Sequence, residues 1–399
     1  MKPDFRSPAF IADPYPLYAR LREQAPVYAL GPQTWLVTGY HDADQVLRDS
    51  RLGKDFPSVL ARRYGRDMGG EPVFRIVNAF LLLMNPPAHT RLRGLVSKAF
   101  SVRQANELRV LTQRLAEGLV DDWIGLGQAD LVDVFNYPLT VRVICAMLDI
   151  ELEHSLAFQT ETQALVKTFE LAPLSAAELA SANAAATRFD EFFREVCRQR
   201  RQRPGGDLVS LLLRAEEGGE RLSEDEIIAN IVLLFTAGHE TTANMLGNAL
   251  SLLFRHPEQL ARLKAEPGLL PKAVEECLRF DTSVQIAARV ALEPLELRGA
   301  RIAAGDTVYL ALGAANRDPA VFDEPDRFDI DRPESTLKKA LSFGGGAHYC
   351  LGARLARIEL ETALETLFRR LPGLDIPPHG LQWKPTFTVR GLESLPATW

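Results

Sequence analysis

Cys350 stands in the run Phe343-Gly344-Gly345-Gly346-Ala347-His348-Tyr349-Cys350-Leu351-Gly352, directly ahead of a stretch, Ala353 to Leu371, that reads as a helix. A thiolate is stabilised by positive charge and unpaired backbone N–H groups, and a helix N-terminus supplies both. Three glycines remove the Cβ atoms that would hold a large flat group away, and Phe343 offers an aromatic face beside the sulfur. This arrangement suits ligation of haem iron through sulfur, which donates electron density to the metal and favours O–O cleavage. A structural zinc site needs four ligands, and beyond His348-x-Cys350 no second Cys/His pair lies at usable spacing. Cys145, Cys197 and Cys277 lack such a neighbourhood and read as small buried hydrophobes.

A second constellation lies at Ala237-Gly238-His239-Glu240-Thr241-Thr242, within a long apolar helical pattern. Glycine in a helix interior costs about 1 kcal/mol against alanine, and a buried carboxylate costs more. A structural reading is a local kink, with a threonine bonded back one turn. A chemical reading is that Gly238 makes room for a cofactor face while Glu240 and Thr241 deliver protons, which oxygen activation consumes.

The elements that must position these groups are mostly helical. Apolar residues recur three and four apart near 104–125, 137–149, 155–171, 175–203 and 224–255. The last begins with Ser223-Glu224-Asp225-Glu226, a capping box, and its roughly 32 residues would span about 48 Å as a central buried rod. Strand signals are few: Val27–Leu30 and Trp35–Thr38 around a Gly31-Pro32 break, then 285–311, then near 386–390. The expected fold is mainly α with a small β region, its sheet assembled from distant segments, so residues 1–399 read as a single domain.

Composition places the chain among globular proteins, with 46% hydrophobic and 25% charged residues. A net charge of −6 argues against nucleic-acid binding, and the Arg198, Arg200, Arg201, Arg203 cluster fits a solvated helix end. No apolar run approaches the roughly 18 residues that a membrane span requires. Unpaired cysteines and the lack of a signal-like start point to the cytoplasm. No flavin or iron–sulfur module is recognisable, so electrons are expected from another protein.

With these motifs in one chain, the sequence closely resembles the cytochrome P450 family in its soluble bacterial form, along essentially its whole length. Phe343, Gly346, His348, Cys350 and Gly352 match the family's cysteine signature; Ala237, Gly238, Glu240 and Thr241 match its central-helix pattern; Glu276 and Arg279 match its Glu-x-x-Arg pair; Pro325-Asp326-Arg327-Phe328 matches the element downstream. The resemblance implies a single-domain fold with haem b between the long central helix and the helix after the cysteine loop. It implies Cys350 as iron ligand, Thr241 and Glu240 as proton relay, and Glu276, Arg279 and Arg327 as a buried structural triad. His89, Arg93, Arg289 and His348 would serve the haem propionates, with Phe343, Ala237, Gly238 and Gly352 against the cofactor. His89 and Arg93, four apart, would share one helix face.

Family positions for substrate contact hold Val73, Ile76, Val77, Phe80, Leu81, Leu82, Leu233, Leu234, Ala237, Val284, Ile286, Ala287, Val389 and Leu392, an aliphatic set suited to a sizeable apolar molecule. Similarity around Pro86–Phe100 points to polyketide, macrolide and related secondary-metabolite tailoring by hydroxylation or epoxidation. Fatty-acid or terpenoid hydroxylation is the alternative, with Arg75 or Arg390 as anchor for a substrate carboxylate. Oxidative crosslinking of a carrier-bound peptide would share every motif. A haem-based sensor or gas carrier would need no proton relay, and a peroxide-using enzyme would replace the acid–threonine pair. Electrons are expected from NAD(P)H through a reductase and an acidic ferredoxin docking on Lys98, Arg103, Lys338, Lys339, Arg354 and Arg357 of a monomer.

Overall fold

The computed structural model describes residues 3–99, 102–152, 158–217 and 220–399. Helices dominate, and packing divides the chain into two compact units. One comprises 1–52, 107–140 and 240–399, the other 53–106 and 141–239.

In the first unit the strands Val27–Gly31, Thr34–Val37, Thr307–Ala311 and Ile286–Ala291 lie side by side in that order. The first two pair antiparallel, with Val27 opposite Val37, and the turn between them carries Gln33 at φ 55. Thr307–Ala311 runs parallel to Thr34–Val37 and antiparallel to Ile286–Ala291. Val37, Val308 and Leu310 turn inward onto Val46 and Leu47 of the helix Tyr40–Arg48, which forms the unit's apolar core with the sheet. The strand expected near 386–390 is reduced to a single antiparallel bridge between Val284 and Val389, formed by the Gln285 amide donating to the Thr388 carbonyl at 2.9 Å and the Arg390 amide donating to the Ser283 carbonyl at 2.6 Å. The C-terminal strand Pro396–Thr398 pairs with Gln128–Asp130, apart from the larger sheet.

The second unit is held by an aromatic cluster. Phe158 stacks near Phe189 at 4.7 Å, and Phe193 meets Phe235 at 6.2 Å. Its helix Ala176–Gln202 starts at a capping box made by Ser175 and Glu178. The helix expected over 155–171 is shorter, Gln159–Val166 followed by a tight turn Lys167–Phe169, with 153–157 outside the described residues.

The central helix Glu224–Arg255 runs 32 residues. Its start is fixed reciprocally: the Ser223 amide donates to Glu226 at 2.8 Å, and the Glu226 amide donates to the Ser223 hydroxyl at 3.2 Å. From Ile227 to Leu253 every residue is buried except Leu233, Leu234, Ala237, Gly238 and Thr241. These five recur at three- and four-residue intervals, so they lie on one face of the helix.

Glu276 and Arg279, on the helix Leu270–Phe280, are both fully buried and joined by two 2.7 Å hydrogen bonds. Arg279 also donates to the carbonyls of Asn316, Pro325 and Arg327, binding the downstream loop to this helix. The expected third member, Arg327, is displaced from that role. Its side chain is 58% exposed and paired with Glu324, and it contributes only a backbone carbonyl. The second guanidinium on Glu276 belongs to Arg332, at 3.3 Å, which also bonds the carbonyls of Asp323, Glu324 and Arg327. A turn thus lets a residue five positions later reach the buried acid. Arg332→Ala should lower unfolding stability by about 3 kcal/mol, as expected when one partner leaves a buried ion pair. Arg327→Ala should leave the denaturation midpoint unchanged. Urea denaturation of both variants checks the order.

Candidate active site

The cysteine loop is shaped from its backbone outward. The Cys350 amide donates to the Phe343 carbonyl at 3.0 Å, closing the loop on itself. Gly344 and Gly346 take left-handed conformations, φ 70 and 63. A Cβ on Gly346 would fall on the Leu47 carbonyl oxygen, and one on Gly345 would lie 3.3 Å from the Leu47 side chain. The glycines therefore seat the loop on the end of the helix Tyr40–Arg48, so the flat surface they fit is protein backbone. Cys350 itself is exposed, and Gly352 caps the helix Ala353–Arg370 just beyond it without a side-chain bond. The thiol is thereby presented at a helix N-terminus. Cys145, Cys197 and Cys277 are buried, and burial pushes the Cys197 thiol up to about 11.

Phe343 is covered on one face by the Arg357 guanidinium, 4.5 Å from its ring centre, and Arg357 is paired with Glu275. Arg357 is thus committed within the fold and removed from the set of cations expected to meet a ferredoxin. Lys338 is exposed and paired with Glu334; Lys339, Arg354 and Lys98 are exposed. The Arg103 side chain lies outside the described residues.

Arg289 tests whether this protein fits haem. It is 4% exposed, its described hydrogen bond goes to the Ala288 carbonyl, and among the described residues no carboxylate pairs with it. Burial pushes its pKa down to about 10. A buried guanidinium without a counter-ion is unfavourable, and a carboxylate delivered by a bound group relieves it. Haem propionate has that chemistry. His348 lies half-buried in the same unit as Arg289 and Cys350. In the other unit His89 is buried and Arg93 half-buried, one turn apart on the helix Ala88–Ala99.

On the central helix, Ala237 and Thr241 belong to the uncovered face, whereas Glu240 points into protein. Glu240 Oε1 accepts from Lys384 Nζ at 3.1 Å and from Asn244 Nδ2 at 3.0 Å. Lys384 also donates to Asn244 Oδ1 at 2.9 Å and to the Tyr137 hydroxyl. Burial, and then the neighbouring Glu240 charge, push the Tyr137 phenol far above its ordinary value, so it stays protonated. Sequence reasoning missed Tyr137, Asn244 and Lys384. The i,i+4 spacing of Glu240 and Asn244 was a usable signal; for Lys384, some 140 residues away, there was none. The room left by Gly238 is taken differently from expectation. A Cβ there would lie 2.8 Å from Ile144 Cδ1, so the glycine admits a neighbouring side chain.

The aliphatic residues separate into two groups. Val73, Val77, Phe80 and Leu81 are packed into the core of their own unit, and Ile286 and Leu392 into the other. Their apolar character reflects packing. Ile76, Leu82, Leu233, Leu234, Val284, Ala287 and Val389 retain accessible surface. Arg390 is no substrate anchor: it pairs with Asp281 at 2.9 Å, bonds the carbonyls of Ile11 and Ala12, and lies 3.5 Å over the Trp383 ring. Arg75 is exposed.

Comparison with known proteins gives this arrangement its class. Residues 59–378 match the family described as Cytochrome P450. The chain is 43% identical over 393 residues to "Putative cytochrome P450 133B1" of Xylella fastidiosa, covering 98% of this chain and 97% of that one. It is 35% identical over 399 residues to "Polyketide biosynthesis cytochrome P450 PksS" of Bacillus subtilis, covering 98% and 96%. Among solved structures, P450BioI in complex with hexadec-9Z-enoic acid ligated acyl carrier protein superposes with a TM-score of 0.91 at 35% identity, covering 98% of this chain and all of that one. The chain belongs to the cytochrome P450 family. It is therefore a monooxygenase with the single-domain P450 fold, and membership implies haem b. No helix among the described residues is long and apolar enough to cross a membrane.

Arg289→Leu should fold as stably as the parent or better without cofactor, since an unpaired buried charge is replaced by an apolar group. It should also release haem faster to a competing acceptor protein. Unfolding of the cofactor-free protein and haem-transfer kinetics test the two halves.

Proposed function

We propose that this monooxygenase oxidises a sizeable apolar organic substrate that carries no free carboxylate, with polyketide or macrolide-like secondary metabolites as the leading class. The observation that carries the reading is the uncovered face of the central helix, aliphatic at Leu233 and Leu234 and ending at Ala237 and Thr241. Ile76, in the unit that holds Leu233 and Leu234, is likewise aliphatic and accessible, and so, within the other unit, are Val284, Ala287 and Val389. Such a lining orients a substrate through shape and apolar contact. Arg390, already committed to Asp281, is withdrawn from anchoring a free acid. PksS, described as a polyketide biosynthesis enzyme, supports the class. An acyl chain held as a thioester on a carrier protein also lacks a free carboxylate, and the likeness to P450BioI bound to such a carrier makes it the second reading.

Haem, held through Cys350, supplies the iron chemistry that places one atom of dioxygen in the substrate and reduces the other to water. The chain's own contribution is to fix that group and to manage protons. The helix N-terminus at Gly352 favours the thiolate form of Cys350. Arg289 and His348, in the unit that carries Cys350, would hold the propionates. The Thr241 hydroxyl donates and accepts a proton at the open face, and Glu240, one residue earlier, feeds it from the protein side. Electrons reach the protein from NAD(P)H through a reductase and ferredoxin, with Lys338, Lys339 and Arg354 of one unit as the exposed cations that would meet an acidic partner.

Thr241→Ala is expected to keep substrate binding and reductant consumption but to lower product formed per reductant by roughly tenfold or more, the scale of a lost proton-transfer group. Oxidation of reductant measured beside product checks it; unchanged coupling would remove Thr241 from the relay. The substrate reading is tested by titrating the ferric protein with macrolactones, free long-chain acids, terpenoids and acyl-carrier thioesters while recording the haem Soret band. A low-to-high-spin shift is expected with macrolactones. A shift confined to the carrier thioester establishes the second reading, and one confined to free acids overturns both.

A further inference from the structure

Lys384 lies between Trp383 and Pro385, outside every motif considered above, yet its ammonium reaches the centre of the protein. It has three donors, and three acceptors receive them: Glu240 Oε1, Asn244 Oδ1 and the Tyr137 hydroxyl. The Tyr137 ring lies 4.8 Å beneath the charge. Asn244 completes the set by donating its own N–H to the same Glu240 oxygen. The chain that carries Lys384 is pressed onto the central helix with little tolerance. The Lys384 amide donates to the Gly391 carbonyl at 2.9 Å, and a Cβ on Gly391 would overlap the Asn244 side chain. Asn248, one turn beyond Asn244, donates to the Arg390 carbonyl at 3.2 Å.

On its other side Lys384 borders a small cavity whose lining is partly apolar, with Phe10 and Phe387 beside Tyr18, Gln285, Thr386 and Arg390. Two of these bring buried polar atoms that have no protein partner among the described residues, the Tyr18 hydroxyl and Gln285 Oε1. Groups of this kind hold water. The Lys384 side chain is 21% exposed against 10% for Glu240, so the lysine lies between the acid and solvent.

We propose that Lys384 is a positioning residue for the oxidation: with Asn244 and Tyr137 it holds Glu240 as an oriented carboxylate, and it is the relay through which solvent protons reach that acid. The inference rests on Glu240 acting in proton delivery. In each transfer the Lys384 ammonium gives a proton to the Glu240 carboxylate, Glu240 passes it toward Thr241, and neutral Lys384 regains one from cavity water. The sum is one proton moved from solvent, with the Lys384–Glu240 charges restored.

The test compares Lys384→Met, Lys384→Arg and Glu240→Gln in the haem-loaded protein by two readouts. The first is the infrared band of a protonated carboxyl, assigned to Glu240 by its loss in the Lys384→Met/Glu240→Gln double variant. The second is product formed per reductant consumed, with its solvent deuterium isotope effect. Lys384→Met is expected to show the band at neutral pH, because the carboxylate loses its cation. It should also lose coupling by about tenfold with a raised isotope effect, while the substrate-induced spin shift is retained. Lys384→Arg should restore both readouts toward the parent. Either readout of Lys384→Met staying at the parent value overturns the proposal. Should that variant not accumulate as folded protein, Asn244→Ala takes its place, with a partial band and partial uncoupling expected and parent values for both overturning it. Unchanged coupling in Glu240→Gln would instead dismiss Glu240 from proton delivery, a failure separate from loss of coupling in Glu240→Gln alone.

Discussion

A 32-residue helix buried along nearly its whole length would ordinarily be covered on every side, and this one is not. The uncovered face at Leu233, Leu234, Ala237, Gly238 and Thr241 is the constraint on which the remaining structure depends. Apolar surface left open in a protein interior forfeits both burial and dispersion contacts, so the rest of the helix must be held firmly enough to offset it. Its capping box, the aromatic cluster around Phe235 and the side-chain bonds at Asn244 and Asn248 provide that hold. The face keeps its accessible surface because the helix is fixed elsewhere.

Glycine does its work in this chain where backbone must press closely onto a neighbouring segment. Gly346 meets the Leu47 carbonyl, and Gly391 meets Asn244. In both cases the contact fixes a loop that carries chemistry: Cys350 in the first, Lys384 in the second. Gly346 was expected to lie against the cofactor, a reading that treats the missing Cβ as space for a ligand. Here the space is already filled by the protein, and precision of the loop is what the glycine supplies.

What could be read beforehand follows the range of the interactions. The capping box at Ser223, the pairing of Glu276 with Arg279 at i,i+3 and the thiol ahead of the helix at Ala353 are local, so spacing alone placed them. Arg327 and Arg332 show the limit. Both are arginines in one loop, and only the turn through Asp329 decides which guanidinium faces Glu276. Lys384 was beyond reach altogether, since nothing in its neighbours indicates that the C-terminal segment folds back onto Glu240. The aliphatic set divides for another reason: Val77 and Phe80 are buried while Leu233 and Leu234 keep accessible surface, and apolarity alone does not distinguish core from lining.

Buried charge organises what remains. Glu276 is met by Arg279 and Arg332, and its cluster ties loop to helix with every partner supplied by the chain. Glu240 is met by Lys384, whose side chain still touches solvent, whereas Glu276 and Arg279 are fully enclosed. Arg289 is met by no described carboxylate, and burial holds its pKa below the usual guanidinium value. The three differ in what completes them: the fold itself, the solvent, and a bound group. A charge satisfied entirely within the fold stabilises it and does little else, whereas one left open to solvent or to a ligand couples the fold to the reaction. On that criterion Arg289 and Glu240 differ from Glu276, whose charge is answered wholly within the fold.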